Sequence, residues 1–304
     1  MIRTVTGDIN DNELGNTLAH EHLYFDLRKV RNDNDSFIVE YSEIEEELKE
    51  IKRLGINTIV EVSTIDMQRD VVKLKEISQK SGVNIIAATG FYLHEYHSDI
   101  LKEMDIEDIA DIFIKEITIG IDNTVIKAGV IGEIATSFNT IYPSERKVFE
   151  AAAIAANKCG CAITTHCQTG TMAHEQIEIF RKYNVNLSKV ILGHMDLNLD
   201  KEYLISILET GVNIGFDTFG KTNYGSDEDR ACMLIELIGL GFENQIVISQ
   251  DISRKSYLKD LGGVGYDHIS RTFNNLIAEN RITKEILNKL LCENPKRILS
   301  IKNS

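Results

Sequence analysis

Short runs of β-branched and other apolar residues alternate along the chain with longer stretches in which apolar residues recur every three or four positions. The short runs are typical of buried strands, and the longer stretches are typical of amphipathic helices. The runs that qualify as strands lie at residues 17–24, 57–62, 84–89, 128–134, 161–166, 189–194, 212–217 and 246–251. Strands and helices in this alternating order predict an α/β fold with a parallel sheet.

Two of the helical stretches carry signals for their ends. In residues 42–55 the apolar positions follow helical spacing, and Gly55 is expected as the C-terminal cap. In residues 144–160, Ser144 is expected as the N-cap and Gly160 as the residue that closes the helix. Both stretches lie between predicted strands, as the helices of βα units do.

The number of βα units favours a closed barrel. Eight units within 304 residues predict a (β/α)8 TIM barrel, and an open, doubly wound sheet with the same order of elements is the alternative. The two prolines and 20 glycines are scattered and mark no linker, and no low-complexity stretch divides the chain. We therefore expect a single domain over residues 1–304.

The charge balance and the cysteines narrow the classes of function. With 33 Lys and Arg against 47 Asp and Glu, the formal net charge is −14, which disfavours binding to nucleic acid or to an anionic membrane. No apolar run approaches the roughly 20 residues of a membrane span, and the opening residues MIRTVTGDIN lack the core of a signal peptide. The five cysteines are an odd number without zinc-ribbon spacing, so we expect reduced thiols and a cytoplasmic protein.

Five of the eight predicted strands end on a residue type that binds metal ions. These residues are His20, His22, Glu133, His166, His194 and Asp251. In a barrel the carboxyl ends of the strands meet on one face, where active sites are built. Four histidines and two carboxylates exceed the needs of one tetrahedral zinc ion, so we expect two divalent ions bridged by a carboxylate and by water or hydroxide. Zinc is the expected metal, although manganese, cobalt and iron accept the same ligands.

Buried, hydrogen-bonded histidines are the alternative to a metal site. His20 and His22 are two residues apart, so on a strand both imidazoles leave from the same face. Glu21, between them, leaves from the opposite face and needs a partner there. The metal site is favoured because burying four unpaired imidazoles and two carboxylates without a cation costs several kcal/mol.

Residues that follow the strand ends are candidates for substrate binding. Tyr92 follows the third predicted strand, Lys221 the seventh, and Arg254 and Lys255 the eighth. Loops after the last two strands of a barrel often bind phosphate, and an acidic protein needs such a local patch for an anionic substrate. The alternatives are a packed tyrosine and solvated loop charges. The polar stretch at residues 28–40 is expected to form the first loop near the mouth of the pocket.

The whole pattern resembles the phosphotriesterase family of the amidohydrolase superfamily. The resemblance is carried by LAHEHL, GEIATS, TTHCQTGT, GHMDL, FDTFGK and SQDISRKSYLKDLGGVGYD, which span nearly the entire chain. It implies six metal ligands: His20, His22 and Asp251 for one ion, His166 and His194 for the other, and Glu133 as the bridge. It also implies that Asp251 takes the proton from the attacking hydroxide and passes it on.

The chain departs from the family pattern at two positions. Most members of the family bridge the ions with a carboxylated lysine where this chain has Glu133, and Lys127 lies six residues earlier, so we expect no carbamate. The true phosphotriesterases also carry a histidine for a proton relay after the aspartate of strand seven. Here Thr218 follows Asp217, so we do not expect efficient hydrolysis of synthetic phosphotriesters.

These observations predict a hydrolase that acts on a small-molecule ester or lactone, with or without a phosphate group, through a metal-bridging hydroxide. Phosphoester hydrolysis is the nearest alternative. A non-catalytic, metal-bound binding protein is the alternative from another class, and the missing relay histidine motivates it. The sequence is compatible with a homodimer.

Overall fold

The computed structural model of the protein describes residues 1–39 and 42–301. Within these ranges the strands are β1 (Ile2–Thr4), β2 (Gly7–Ile9), β3 (Asn16–Glu21), β4 (Phe25–Asp26), β5 (Phe37–Ile38), β6 (Ile56–Glu61), β7 (Asn84–Thr89), β8 (Val130–Thr136), β9 (Ala162–Cys167), β10 (Val190–Gly193), β11 (Asn213–Phe216) and β12 (Ile246–Ile248). Strands β3 and β6 to β12 form one parallel sheet in chain order. The predicted barrel and its eight strands are confirmed, with strand ends shifted by up to three residues.

Helices cover the outside of this sheet. Over the described residues they are α1 (Arg28–Arg31), α2 (Ser42–Arg53), α3 (Val71–Ser81), α4 (Asp99–Glu103), α5 (Ile106–Thr118), α6 (Pro143–Cys159), α7 (Ala173–Lys182), α8 (Lys201–Leu208), α9 (Asp227–Gly239), α10 (His268–Ala278), α11 (Lys284–Asn288) and α12 (Asn294–Leu299). A π-helical turn, Lys289–Glu293, joins the last two. Of the predicted first loop, residues 28–39 contain α1 and β5, and residue 40 lies outside the described residues.

Helix α6 begins two residues earlier than an N-cap at Ser144 implies, so that assignment is wrong. Pro143 opens the helix because its fixed φ suits the first helical position, where no N–H is needed. Tyr142 is the N-cap, and its backbone N donates to Glu145 Oε2 at 2.9 Å. The Ser144 hydroxyl instead contacts two histidine rings in the segment after β7.

Small and branched side chains fill the barrel. The inward cluster from the strands consists of Ala19, Val60, Val62, Ile86, Ala88, Val130, Ala162, Ile191 and Val247. Ile2, Leu14, Ile298 and Leu299 pack onto the same cluster, and Val5 N donates to Ile85 O near the start of β7. The amino-terminal end of the barrel is therefore plugged, and the polar chemistry is confined to the carboxyl end.

The barrel closes between its first and last strands through side chains. Among the described residues, β3 and β12 are the two ends of the hydrogen-bonded order and form no ladder with each other. The backbone N of His20 donates to Ser249 Oγ at 3.1 Å, and the backbone N of Gln250 donates to Glu21 Oε1 at 3.0 Å. We call this junction, residues 20–21 and 249–252, the seam.

All five cysteines are free thiols. No helix in the described ranges is both long enough and apolar enough to cross a membrane.

Candidate metal centre

Two β-bulges lie where side chains turn into the mouth of the barrel. Over residues 18–21, β3 advances three residues while β6 advances two, and over residues 131–134, β8 advances three while β9 advances two. An extra residue in one strand changes the direction in which its side chains leave the sheet. The bulges contain His20 and Glu133, which both face the centre of the mouth.

Gly132 makes the second bulge possible. Its φ is +115°, and a Cβ atom at this position would overlap the carbonyl oxygen of Thr164 on β9. We expect Gly132→Ala to lower the free energy of unfolding by about 3 kcal/mol or more, because the new methyl group would collide with the backbone of Thr164 and the positive φ would strain the alanine. Urea denaturation measures this loss. Gly160→Ala is the matched control: φ is +69°, but its Cβ would meet no atom within 4 Å, so a loss near 1 kcal/mol is expected. Equal losses in the two variants would contradict this account.

The other metal-binding residue types lie at or just after strand ends. His166 lies within β9, and His22, His194 and Asp251 follow β3, β10 and β12. His194 and Asp251 have positive φ values of 61° and 50°. Such backbone strain in residues other than glycine concentrates at functional sites, where surrounding contacts enforce it.

Glu133 lies at the centre of four imidazoles. One or other of its carboxylate oxygens lies 3.3 Å from His20 Nε2, 3.2 Å from His22 Nε2, 3.0 Å from His166 Nδ1 and 3.6 Å from His194 Nε2. The 3.0 Å contact of His166 lies within hydrogen-bond distance. The other three separations are longer than those of charged hydrogen bonds and suit donor atoms that share a tetrahedral ion with bonds of about 2.1 Å.

Nδ1 of His22, the ring nitrogen that faces away from Glu133, acts as a hydrogen-bond donor. Ser63 Oγ donates to Glu61 Oε1 at 2.6 Å, so it can only accept from His22 Nδ1, which lies 2.9 Å away. A neutral imidazole that is protonated on Nδ1 carries its lone pair on Nε2. The lone pair of His22 therefore points toward Glu133 and Asp251.

Asp217 holds the ring of His194 in the same way and lies close to Nδ1 of His20 without a hydrogen bond to it. Its Oδ1 accepts from the backbone N of His194 at 2.8 Å and from His194 Nδ1 at 2.9 Å, and its Oδ2 lies 3.3 Å from His20 Nδ1. Carboxylates that hold the outer nitrogen of an imidazole are a recurrent feature of metal sites. The sequence analysis missed Asp217, although its position at the end of the seventh predicted strand was a readable signal.

His166 presents the other ring nitrogen. Its Nε2 donates to Gln168 Oε1 at 2.5 Å, which leaves the lone pair on Nδ1, the atom nearest to Glu133 and to Tyr92 Oη at 3.3 Å. Three of the four rings thus direct a lone pair at Glu133, and no hydrogen bond within the described residues fixes the tautomer of the fourth ring, that of His20. Without a positive charge between them, this arrangement is repulsive.

Two groups of three buried donors fit a cation. They are His20, His22 and Asp251, and His20, Glu133 and His194, with all ligand atoms of each group within 4.8 Å of one another. The buried atoms His20 Nε2 and Asp251 Oδ1 have no hydrogen-bond partner in the described residues. Nitrogen and oxygen donors of this kind suit zinc and similar divalent ions.

The pKa values of His22, His194 and Glu133 show that this cluster favours positive charge. Burial opposes protonation of His22, but Asp251 and Glu133 outweigh it and raise the pKa of the imidazole to about 9. Burial is likewise outweighed at His194, where Asp217 raises the pKa to about 9. At Glu133, burial favours the neutral acid, yet the surrounding imidazoles hold the pKa well below its usual range.

Thr218 occupies the position of the family's relay histidine and belongs to a buried hydrogen-bond network. The backbone N and the Oγ1 of Thr218 donate to Asp196 Oδ2 at 2.9 and 2.8 Å. Arg230 Nε donates to Thr218 Oγ1 at 3.1 Å. These side chains are buried and hydrogen-bonded to one another, and Thr218 offers no titratable group to the centre.

An open cavity of about 650 Å³ lies above the centre, and three predicted substrate-binding residues line it: Tyr92, Lys221 and Arg254. Lys221 Nζ forms an ion pair with Asp251 and donates to Ser253 Oγ at 3.1 Å. Arg254 lies 3.4 Å from an oxygen of Asp33.

The cations that line the cavity differ from the prediction at two residues, Lys255 and Arg31. Lys255 Nζ lies 3.5 Å from the centroid of the Phe37 ring, and the residue is not part of the cavity lining in the described chain. Arg31 does line the cavity, where it interacts with the Tyr96 hydroxyl. Arg31 lies in the stretch predicted to approach the mouth, which is the signal that could have identified it.

Comparisons with known proteins identify one family over nearly the whole chain. The model of the phosphotriesterase family matches residues 1–299. The phosphotriesterase homology protein of Escherichia coli is 35% identical over 283 residues, which cover 93% of this chain and 97% of the relative. An N-acetyltaurine hydrolase of Xenopus tropicalis is 32% identical, with 99% of this chain and 98% of the relative covered.

Solved structures show the same architecture. The crystal structure of the Escherichia coli homology protein, with phosphate in its active site, superposes with a TM-score of 0.92 over 95% of this chain and 99% of that one. A lactonase from Listeria monocytogenes is 28% identical and superposes with a TM-score of 0.94 over 99% of each chain. Together with the buried donor groups, these matches show that the protein belongs to the phosphotriesterase family, as a metal-dependent hydrolase.

Proposed function

We propose that this protein hydrolyses a carboxylic ester or lactone that carries an anionic group, and that it uses two divalent metal ions. The observation that carries the proposal is the set of four buried imidazoles that surround Glu133 beneath a cavity lined by cations. The proposed ligands are His20, His22 and Asp251 for one ion, His166 and His194 for the other, and Glu133 between them.

When bound, the two ions supply a hydroxide nucleophile near neutral pH and polarise the scissile carbonyl group. Asp251 is the proposed general base. Burial disfavours its charge, but Lys221 and the nearby imidazoles keep the pKa of Asp251 far below its usual range, so the carboxylate is ionised before the reaction begins. Tyr92 Oη, buried beside His166, is positioned to donate to an oxygen of the substrate.

The cations of the cavity support an anionic substrate. Arg31, Lys221 and Arg254 line the same cavity, although the chain as a whole has a net charge of −14. Because long-range electrostatics repel anions from such a protein, binding of an anionic group depends on this local cluster.

Related proteins support an acyl substrate. One matched structure is that of a lactonase, which favours ring-opening of a lactone. The relatives named N-acetyltaurine hydrolase make an amide the second candidate.

A substrate panel tests the proposal. The purified protein, loaded with zinc, is assayed against lactones and esters in neutral and phosphorylated forms, N-acetyltaurine, and phosphomono- and phosphotriesters. We expect the highest kcat/KM for a phosphorylated lactone or ester, at least about tenfold above its neutral analogue, because charge-assisted hydrogen bonds are worth about 1.5 kcal/mol or more. Turnover of phosphoesters alone would contradict the proposal, and tight retention of a ligand without any turnover would indicate a binding protein.

Arg31→Gln separates recognition of the anion from the chemistry. We expect KM for the phosphorylated substrate to rise about tenfold while kcat/KM for the neutral analogue stays within about twofold. Arg28→Gln is the matched control, because Arg28 lies on the same short helix but pairs with Asp26. An equal loss for both substrates would show that Arg31 serves the fold rather than the anion.

A further inference from the structure

Glu21 is a fully buried carboxylate that the mechanism above does not use. Its Oε1 accepts from Ser249 Oγ at 2.6 Å and from the backbone N of Gln250 at 3.0 Å, and its Oε2 accepts from the backbone N of Ile252 at 2.9 Å. The partner that the sequence analysis required for Glu21 is therefore the segment after β12. Three donors on one carboxylate are more than closure of the barrel needs.

The two backbone donors lie on either side of Asp251. Strand β12 ends at Ile248, and the last backbone bond to β11 runs from Ser249 N to Phe216 O at 3.1 Å. Beyond it, no sheet partner holds residues 250–252 in the described part of the chain. Asp251 nevertheless keeps a φ of 50°, which an unconstrained aspartate rarely adopts.

The same carboxylate links the base to the histidines of β3. The Ser249 hydroxyl donates to Glu21 and accepts from the backbone N of His20. Glu21 itself stands between two of the proposed ligands in sequence. Glu21 therefore joins the backbone beside Asp251 to the strand that carries His20.

We propose that Glu21 is a positioning residue for Asp251: its carboxylate clamps the backbone on both sides of the base and fixes the base against His20 and His22. This inference rests on the proposed function of Asp251. If Glu21 is a clamp, its replacement misplaces the base and lowers activity. If Glu21 only stabilised the seam, its replacement would lower stability alone.

Glu21→Gln tests the clamp with almost no change in volume. The amide oxygen can replace one carboxylate oxygen, but the NH2 group then faces an N–H donor, so one of the backbone bonds beside Asp251 is lost. We expect kcat on the best substrate of the panel to fall about tenfold to a hundredfold, with KM within about twofold and zinc content unchanged. With cobalt in place of zinc, we expect the visible absorption spectrum of the protein to shift, because Asp251 is a proposed ligand.

Glu116→Gln is the matched control, because Glu116 is a buried carboxylate that pairs with Arg69 at 2.6 Å in the helical layer. This variant is expected to lose stability but to retain kcat and the cobalt spectrum. Unchanged kcat and spectrum in Glu21→Gln would overturn the clamp. The cobalt spectrum needs no turnover, so it tests Glu21 even if the substrate panel fails.

Ser249→Ala keeps the proposal testable if Glu21→Gln does not fold. It removes one donor to Glu21 and the acceptor of the backbone N of His20 but leaves both backbone bonds beside Asp251, so we expect kcat to fall less than about tenfold. A tenfold or larger loss of kcat in a folded Ser249→Ala protein would show that the closure of the seam, rather than the clamp on Asp251, governs activity.

Discussion

Replacing Asp251 with asparagine is expected to lower kcat by about three orders of magnitude while metal remains bound. The amide keeps an oxygen that can approach a metal ion, but it cannot accept the proton of the nucleophile, and general base catalysis contributes roughly 10²–10⁴ in rate. The measurements are steady-state kcat on the best substrate of the panel and metal content by elemental analysis after dialysis.

Asp260→Asn provides the control for this variant. Asp260 is exposed and lies in the same loop after β12, so its replacement should leave kcat and metal content unchanged. A kcat for Asp251→Asn within about threefold of the parent protein would remove Asp251 from the role of base. Loss of metal together with activity would instead make it mainly a ligand.

His20→Ala is expected to have the largest effect of all. His20 is a proposed ligand of one ion and belongs to both groups of converging donors, so its removal empties one proposed site and weakens the group that contains Glu133 and His194. We expect metal content to fall from about two ions per chain to about one or fewer, and turnover to fall at least about 10⁴-fold, because the hydroxide nucleophile depends on the ions.

The matched control is His174→Ala, on helix α7, where His174 Nε2 contacts Ser206 Oγ at 3.0 Å, away from the centre. It should retain both metal and activity. Metal content and turnover that survive the loss of His20 would refute a metal centre at this position. Addition of zinc, manganese or cobalt to the metal-free parent protein should restore turnover, which separates loss of metal from loss of fold.

The apolar pattern predicts all eight barrel strands because a strand buried on both faces appears as a short apolar run. The metal-binding residue types are recognisable for a related reason: all parallel strands end on one face, so residues such as His20 and Asp251 must approach each other. The N-cap at Ser144 is predicted wrongly because the proline before it already satisfies the first helical position.

Other features depend on contacts that no local pattern contains. The partners of Glu21 lie 228 to 231 residues away, beyond the reach of any periodicity. The two bulges have no signature in composition, and only Gly132 hints at one of them. The interaction of Arg31 with Tyr96 needs two loops to meet, and loop geometry follows from packing rather than from the sequence of either loop.

The seam has a consequence for how the molecule responds to heat. Around the rest of the barrel, neighbouring strands are joined by backbone ladders, whereas β3 and β12 are joined by a carboxylate and a hydroxyl. Thermal fluctuations that part these two edges break few bonds and leave the plugged interior intact. They would nevertheless separate the proposed base from its neighbours, so inactivation on warming would precede cooperative melting of the barrel.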